Sequence, residues 1–219
     1  MADIPRDTPP PAPPAGIEVL KLGGSLLGAE GAHPRLAELL AALAARGAPL
    51  VVVAGGGTLA DAVRALQPRL GLSEACCHQM AILAMEQTAL ALADLGPGLL
   101  PCADETGITA AHAAGRAALW LPSHLAGAAE VPASWEVTSD SLALWLAIRL
   151  GAARLTLVKA ARVEWPLGPP ERWAADGLVD TYLPILARRF GGEVRALSVA
   201  DALADLGTGA PQGQDDDGH

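Results

Sequence analysis

The sequence predicts an α/β fold, a three-layer α/β/α sandwich around a mainly parallel sheet, and three observations predict it. Short, continuously apolar runs alternate with segments of helical period, the pattern of strands buried on both faces and joined by helices. Glycine clusters stand directly after two of the first runs, where a strand turns sharply into a helix. No internal repeat indicates the eight units of a barrel.

The elements follow in order. "IEVLKL" (17–22) reads as the first strand. "HPRLAELLAALAARG" (33–47) reads as a helix with Pro34 in its first turn and Gly47 just past its end. "APLVVVA" (48–54) is the second strand and runs into Gly55, Gly56 and Gly57, after which Thr58 opens the helix "LADAVRAL". Ser73 caps a long apolar helix that continues to about Gly96. "AALWLP" (117–122) is a further strand. Thr138 or Ser139 caps "DSLALWLAIRL", and Gly151 closes it. "ARLTLVKA" (153–160) and "VRALSV" (194–199) complete the strands.

Composition bounds the function. The 219 residues suffice for one large domain or two small ones, and at 51% hydrophobic with one Phe and one Tyr the core must be built from Ala, Leu and Val. A formal net charge of −9 argues against nucleic acid or an anionic membrane as a partner, so an anionic ligand needs a local site. The three cysteines, Cys76, Cys77 and Cys102, form no disulfide framework, and contiguous Cys76, Cys77 and His78 would point around a helix axis rather than at one metal. No signal-peptide layout opens the chain and no apolar run would span a bilayer, so a cytoplasmic protein is expected. Proline-rich residues 1–15 are expected to be a disordered arm, 16–206 a single domain, and 207–219 a disordered acidic tail.

Ligands of open α/β sheets bind beyond the carboxyl ends of the strands. The first strand ends in Lys21, Gly23, Gly24 and Ser25, the second in Gly55, Gly56 and Gly57, and a later one in Lys159. A phosphate P-loop carries its lysine after the glycines, and Lys21 precedes them, so that motif is absent. Two consecutive glycine-rich turns, each letting backbone N–H groups approach an anion at a helix N-terminus, point to phosphate binding. Of the 15 Lys and Arg residues only Lys21 and Lys159 are lysine, which suggests sites that need a compact point charge rather than a planar fork. Lys21 is expected in a wet cleft at a strand end. Asp140 reads either as a helix N-terminal charge or as the group that orients two otherwise repelling lysines. Asp61 and Arg64 share a helix face, as a grip for an acceptor phosphate or as a surface ion pair. No general base is required where the acceptor is already ionised.

The ordered set "KLGGS", "AGGG", "TSDSLALWLA" and "LVKA" resembles the amino acid kinase family over roughly residues 17–206. Within it, "GGGTLADAVR", "HQMAILAMEQ" and "DGLVDTYLP" are similar to the branch that phosphorylates an (aminomethyl)furanylmethyl phosphate in methanofuran-type cofactor synthesis. The resemblance implies ATP with Mg²⁺ carried on the ATP phosphates, and a small-molecule phosphate acceptor. It implies Lys21, Asp140 and Lys159 as catalytic residues, and Gly23, Gly24, Ser25, Val163 and Trp165 on the nucleotide and phosphate side. Gly55, Gly56, Gly57, Asp61, Arg64, His78 and Thr138 would receive the acceptor, and a homodimer or larger homo-oligomer would form through the long helix 74–94. "KAARVEWP" departs from the family's aspartate-glycine nucleotide loop, and Leu183 stands where an aromatic residue is expected. Uridylate or isopentenyl phosphate as acceptor, and a non-catalytic nucleotide- or oxyanion-binding storage protein, are the alternatives.

Overall fold

The computed structural model describes residues 16–127 and 129–208. The expected arm at 1–15 and the tail from 209 onward lie outside the described residues; Gly207 and Thr208 belong to the last helix rather than to the tail.

The chain runs β1 (Glu18–Leu22), a 3₁₀ turn (Gly24–Leu26), a small hairpin β2 (Leu27–Gly28) and β3 (Gly31–Ala32), α1 (Leu36–Arg46) and β4 (Leu50–Ala54). The helical hairpin α2 (Gly57–Leu70) and α3 (Glu74–Leu95) follows, then β5 (Leu100–Cys102), α4 (Glu105–Ala113), β6 (Ala118–Trp120) and α5 (Ser123–Ala126). The last part comprises α6 (Ser139–Arg149), β7 (Arg154–Lys159), α7 (Pro170–Ala175), α8 (Leu183–Ala187), β8 (Glu193–Ser198) and α9 (Val199–Thr208). Six strands form one parallel sheet in the order β5-β6-β4-β1-β7-β8. The expected strands are all present. The short edge strand β5, which contains Pro101, and the two-residue strands β2 and β3 carry too little apolar pattern to be read in advance.

Alternation along each strand builds the three layers. Val19, Val53, Leu155 and Leu157 face one core with α4, α6 and α8, whereas Leu20, Leu22, Val52 and Val158 face another with α1 and α9. The long helix α3 joins both, giving Ile82 and Met85 to the first core and Ala89 and Leu92 to the second. The same alternation sends Lys21, two residues after Val19, and Lys159, two after Leu157, toward the α6 face. Because β1 and β7 are neighbours in register, with Lys21 opposite Leu157, the two lysines meet at the carboxyl edge of the sheet.

Opposite parity places Glu18, Thr156 and Arg195 on the α1/α9 face. Buried Glu18 accepts hydrogen bonds from the Thr156 hydroxyl at 2.8 Å, from Arg195 at 3.2 Å and from Arg46 at 2.8 Å, while Arg195 also grips Asp205 through both its terminal nitrogens. A buried charge is tolerated only when paired in this way. No helix among the described residues is long and apolar enough to cross a membrane.

Candidate active site

From the central strand β1 the chain first builds outward through β4 and then returns to the other side through β7, so the sheet's switch point lies at the carboxyl ends of these three strands. The two glycine turns meet there. A Cβ on Gly24 would lie 2.3 Å from the Gly57 nitrogen, and one on Gly55 would lie 2.5 Å from the Gly24 nitrogen. Gly57 also has φ of +52°, a conformation L side chains rarely adopt. The glycines thus let two backbone turns pack directly on each other, with the first N–H groups of α2 beside the loop after β1.

Asp140, in the first turn of α6, joins the two lysines. The Lys21 ammonium lies 2.8 Å from its Oδ1, and the Lys159 ammonium lies 3.0 Å from Oδ1 and 2.9 Å from Oδ2. The side chains of Lys21, Asp140 and Lys159 are only 5%, 7% and 13% exposed. The expectation of a wet cleft is therefore corrected for Lys21, which lies at a strand end but is buried beneath α6. Burial works to raise the Asp140 carboxyl, but the two ammonium groups outweigh it and hold the carboxyl below its usual range. Burial, joined by repulsion from Lys21, pushes the Lys159 ammonium below its ordinary value, against the pull of Asp140 and Asp180.

A cavity of about 230 Å³ is lined by Ser139, next to Asp140 in the chain, and by Gly24, although Lys21, Asp140 and Lys159 themselves do not line it. Gly24, Ser25, Gly56, Gly57, Asp61, Arg64, His78 and Thr138, all named from the sequence, line it. The N-termini of α2 and α6 both open onto it, and two helix dipoles make that end favourable to an anion. Ala81, Ile82, Met85, Val137 and Leu142 make the rest of the lining largely apolar. Thr138 is the cap of α6, its hydroxyl accepting the Asp140 N–H at 3.4 Å. Burial holds the His78 imidazole below its ordinary value, with a backbone hydrogen bond at Ser134 opposing it.

Arg64 forms the ion pair that was one of the two roles left open for it, and it does so at the cavity. It pairs with Asp61 at 3.0 Å, and both line the cavity. Its guanidinium also sits 4.3 Å from the centre of the Trp135 ring, whose N–H donates to Gln67 of α2. Trp135 and Gln67 were not legible as site residues, because Trp135 lies in an irregular segment with no period to interpret.

Other expected residues stand apart from the cavity. Gly23 donates its N–H to Val158, and Gly55 is buried under the crossing of the two turns. The Val163 side chain is buried in the α6-side core, whereas Trp165 is 48% exposed with the Arg172 guanidinium 4.7 Å from its ring centre. Leu183 fills a fully buried position, with its N–H donated to Asp180.

The model of the amino acid kinase family matches residues 16–161. The chain belongs to that family. It is 28% identical over 132 residues to the [5-(aminomethyl)furan-3-yl]methyl phosphate kinase of Methanocaldococcus jannaschii, and spans 59% of that relative's length with 59% of its own. The fold is that of the uridylate kinase of Archaeoglobus fulgidus (TM-score 0.64, 18% identity, 87% of this chain and 95% of that one). The UMP kinase of Bacillus anthracis is similar to the same extent (TM-score 0.61, 15% identity, 88% and 93%). All three relatives are kinases.

Proposed function

We propose that this protein is an ATP-dependent phosphotransferase whose acceptor is the phosphate group of a small molecule. The observation that carries the proposal is the Lys21–Asp140–Lys159 triad, two buried ammonium groups held by one carboxylate beside an anion-favouring cavity. The residues fit a nucleoside triphosphate: two cations, glycine N–H groups and two helix N-termini suit an anionic polyphosphate. Among the described residues no cluster of three His, Cys, Asp or Glu is placed to hold a metal ion, and Mg²⁺ would enter on the phosphates. ATP supplies the phosphoryl group. An ionised oxygen of the acceptor phosphate forms the new P–O bond while the bond to the β-phosphate oxygen breaks, leaving ADP. Lys21 and Lys159 would neutralise the charge that spreads over the transferring oxygens, and Asp140 would hold them apart and aimed. The remaining roles read from the sequence are part of the proposal, with Trp165 the exposed side chain on the nucleotide side.

For the acceptor we favour (aminomethyl)furanylmethyl phosphate, converted to its diphosphate in methanofuran or methylofuran synthesis in the cytoplasm. The named relative supports it. Retention of both lysines and Asp140 favours catalysis over storage, since storage has no developing charge to stabilise. Assembly through α3 is supported by Leu83 and Leu90, which are 43% and 52% exposed. An acceptor screen that follows ADP release tests the reading. Turnover with the furan phosphate and none with uridylate or isopentenyl phosphate is the expected outcome, and preference for either of the latter would reassign the acceptor.

A further inference from the structure

Asp180 lies outside the cavity lining and beyond residues 16–161, where the family match ends. Its carboxylate nevertheless receives five hydrogen bonds. Oδ2 accepts the Thr138 N–H at 2.9 Å, the Thr138 hydroxyl at 2.8 Å and the Ser141 N–H at 3.0 Å. Oδ1 accepts the Ser141 hydroxyl and, at 2.9 Å, the Leu183 N–H.

Helix chemistry explains the arrangement. α6 opens with Thr138, Ser139, Asp140 and Ser141, where a self-contained capping box would end in Glu or Gln. Serine is too short to return to the N–H of Thr138. Asp180 supplies the missing carboxylate from the turn before α8, bonding the N–H groups of both the cap residue and the third helical residue. The helix dipole favours a negative charge at that point. Between the two tethered residues stands Asp140.

We infer that Asp180 is a positioning residue, which closes the first turn of α6 and so fixes Asp140 between Lys21 and Lys159; the inference rests on the phosphotransferase reading. Its charge has a second consequence. The charged groups facing the Lys159 ammonium are Lys21 of β1, Asp140 of α6 and Asp180, and Asp180 works to raise the Lys159 pKa against burial. Two ammonium groups and two carboxylates cancel, whereas without Asp180 the two lysines share a single carboxylate.

The chain contains only two lysines, Lys21 and Lys159, so ¹³C-lysine labelling of the full-length protein yields two side-chain Cε signals. Asp180→Asn keeps the shape and one acceptor oxygen but removes the charge. Its Lys159 signal should titrate at lower pH than in wild type. kcat should fall by about 10–100-fold, the size seen when a group orienting a reactive centre is removed, with both KM values nearly unchanged. Wild-type lysine titrations with undiminished kcat, or a kcat loss that follows melting temperature alone while the lysine signals stay put, would overturn the inference. If Asp180→Asn does not fold, Ser141→Ala removes one tether and leaves the charge. A several-fold loss of kcat at constant KM then supports the role, and unchanged kcat with unchanged lysine signals refutes it. The lysine titration needs no turnover, so absence of kinase activity in wild type sinks the proposed function without deciding the role of Asp180.

Discussion

Substitution of Lys21 by arginine conserves charge and should still abolish most turnover. The Lys21 side chain is 5% exposed and its nitrogen lies 2.8 Å from Asp140, so little room surrounds it. Arginine extends the chain by one bond, about 1.3 Å, and ends in a planar fork. Gly23 and Gly24 follow after Leu22, and the backbone there is already packed to the limit, with Gly24 against Gly57. The guanidinium must therefore either push Asp140 back or swing toward the space intended for phosphate oxygens. A misplacement of ~1 Å costs about 10²-fold, and loss of one well-aimed donor ~10²–10³-fold; kcat should fall within that span. The assay is initial-rate ADP release with saturating ATP and acceptor, alongside melting temperature. Lys21→Met, which keeps the stem and drops the charge, calibrates stability. Leaving a buried charge without its partner costs about 3–5 kcal/mol, and because Lys159 still faces Asp140 the loss should lie below that range. Near-wild-type kcat in Lys21→Arg would refute the reasoning, because the site would then need only a positive charge.

Arg64→Ala removes both the Asp61 pair and the cation over Trp135, and should raise the acceptor KM several-fold while ATP affinity holds; isothermal titration with each ligand checks it. Gly24→Ala forces a methyl to within 2.3 Å of the Gly57 nitrogen and should destabilise by about 1–3 kcal/mol or more, measured by urea unfolding. The Asp140 carboxyl is held low when folded, so its contribution to stability is present above its ordinary pKa of ~3.9 and is lost as pH falls through the folded value. Asp140→Asn should accordingly flatten that part of the acid-unfolding curve. Exposed Leu83 and Leu90 should be covered by a second copy, so light scattering should give at least a dimer mass, and Leu83→Glu with Leu90→Glu should lower it toward the monomer.

Much of this was legible because period and glycine placement report local physics. Lys21 and Lys159 each follow a run of buried apolar residues, Val19–Leu20 and Leu157–Val158, so both stand out as charges at the carboxyl end of a largely apolar strand. The cap of α6 was legible as Thr138 or Ser139, because either side chain suits the start of the helical period, and the structure selects Thr138. Residues joined only by tertiary structure were not. Asp180 acts across 39 residues on Ser141, and Trp135 across 68 on Gln67, separations with no periodic trace. Glu18 is a polar residue inside an apolar strand, and its meaning depends on Arg195, 177 residues away. The depth of Lys21 was misjudged for the same reason: a strand end looks open until α6 is known to lie over it.

The central claim is transfer of a phosphoryl group from ATP to an existing phosphate. ³¹P NMR of the full-length protein with ATP, Mg²⁺ and [5-(aminomethyl)furan-3-yl]methyl phosphate follows both substrates at once. The monophosphate signal should give way to the two coupled signals of a diphosphate in step with ADP, and Asp140→Asn should slow both together. ADP accompanied by free phosphate and no diphosphate, or no ADP with any phosphate acceptor, would contradict it.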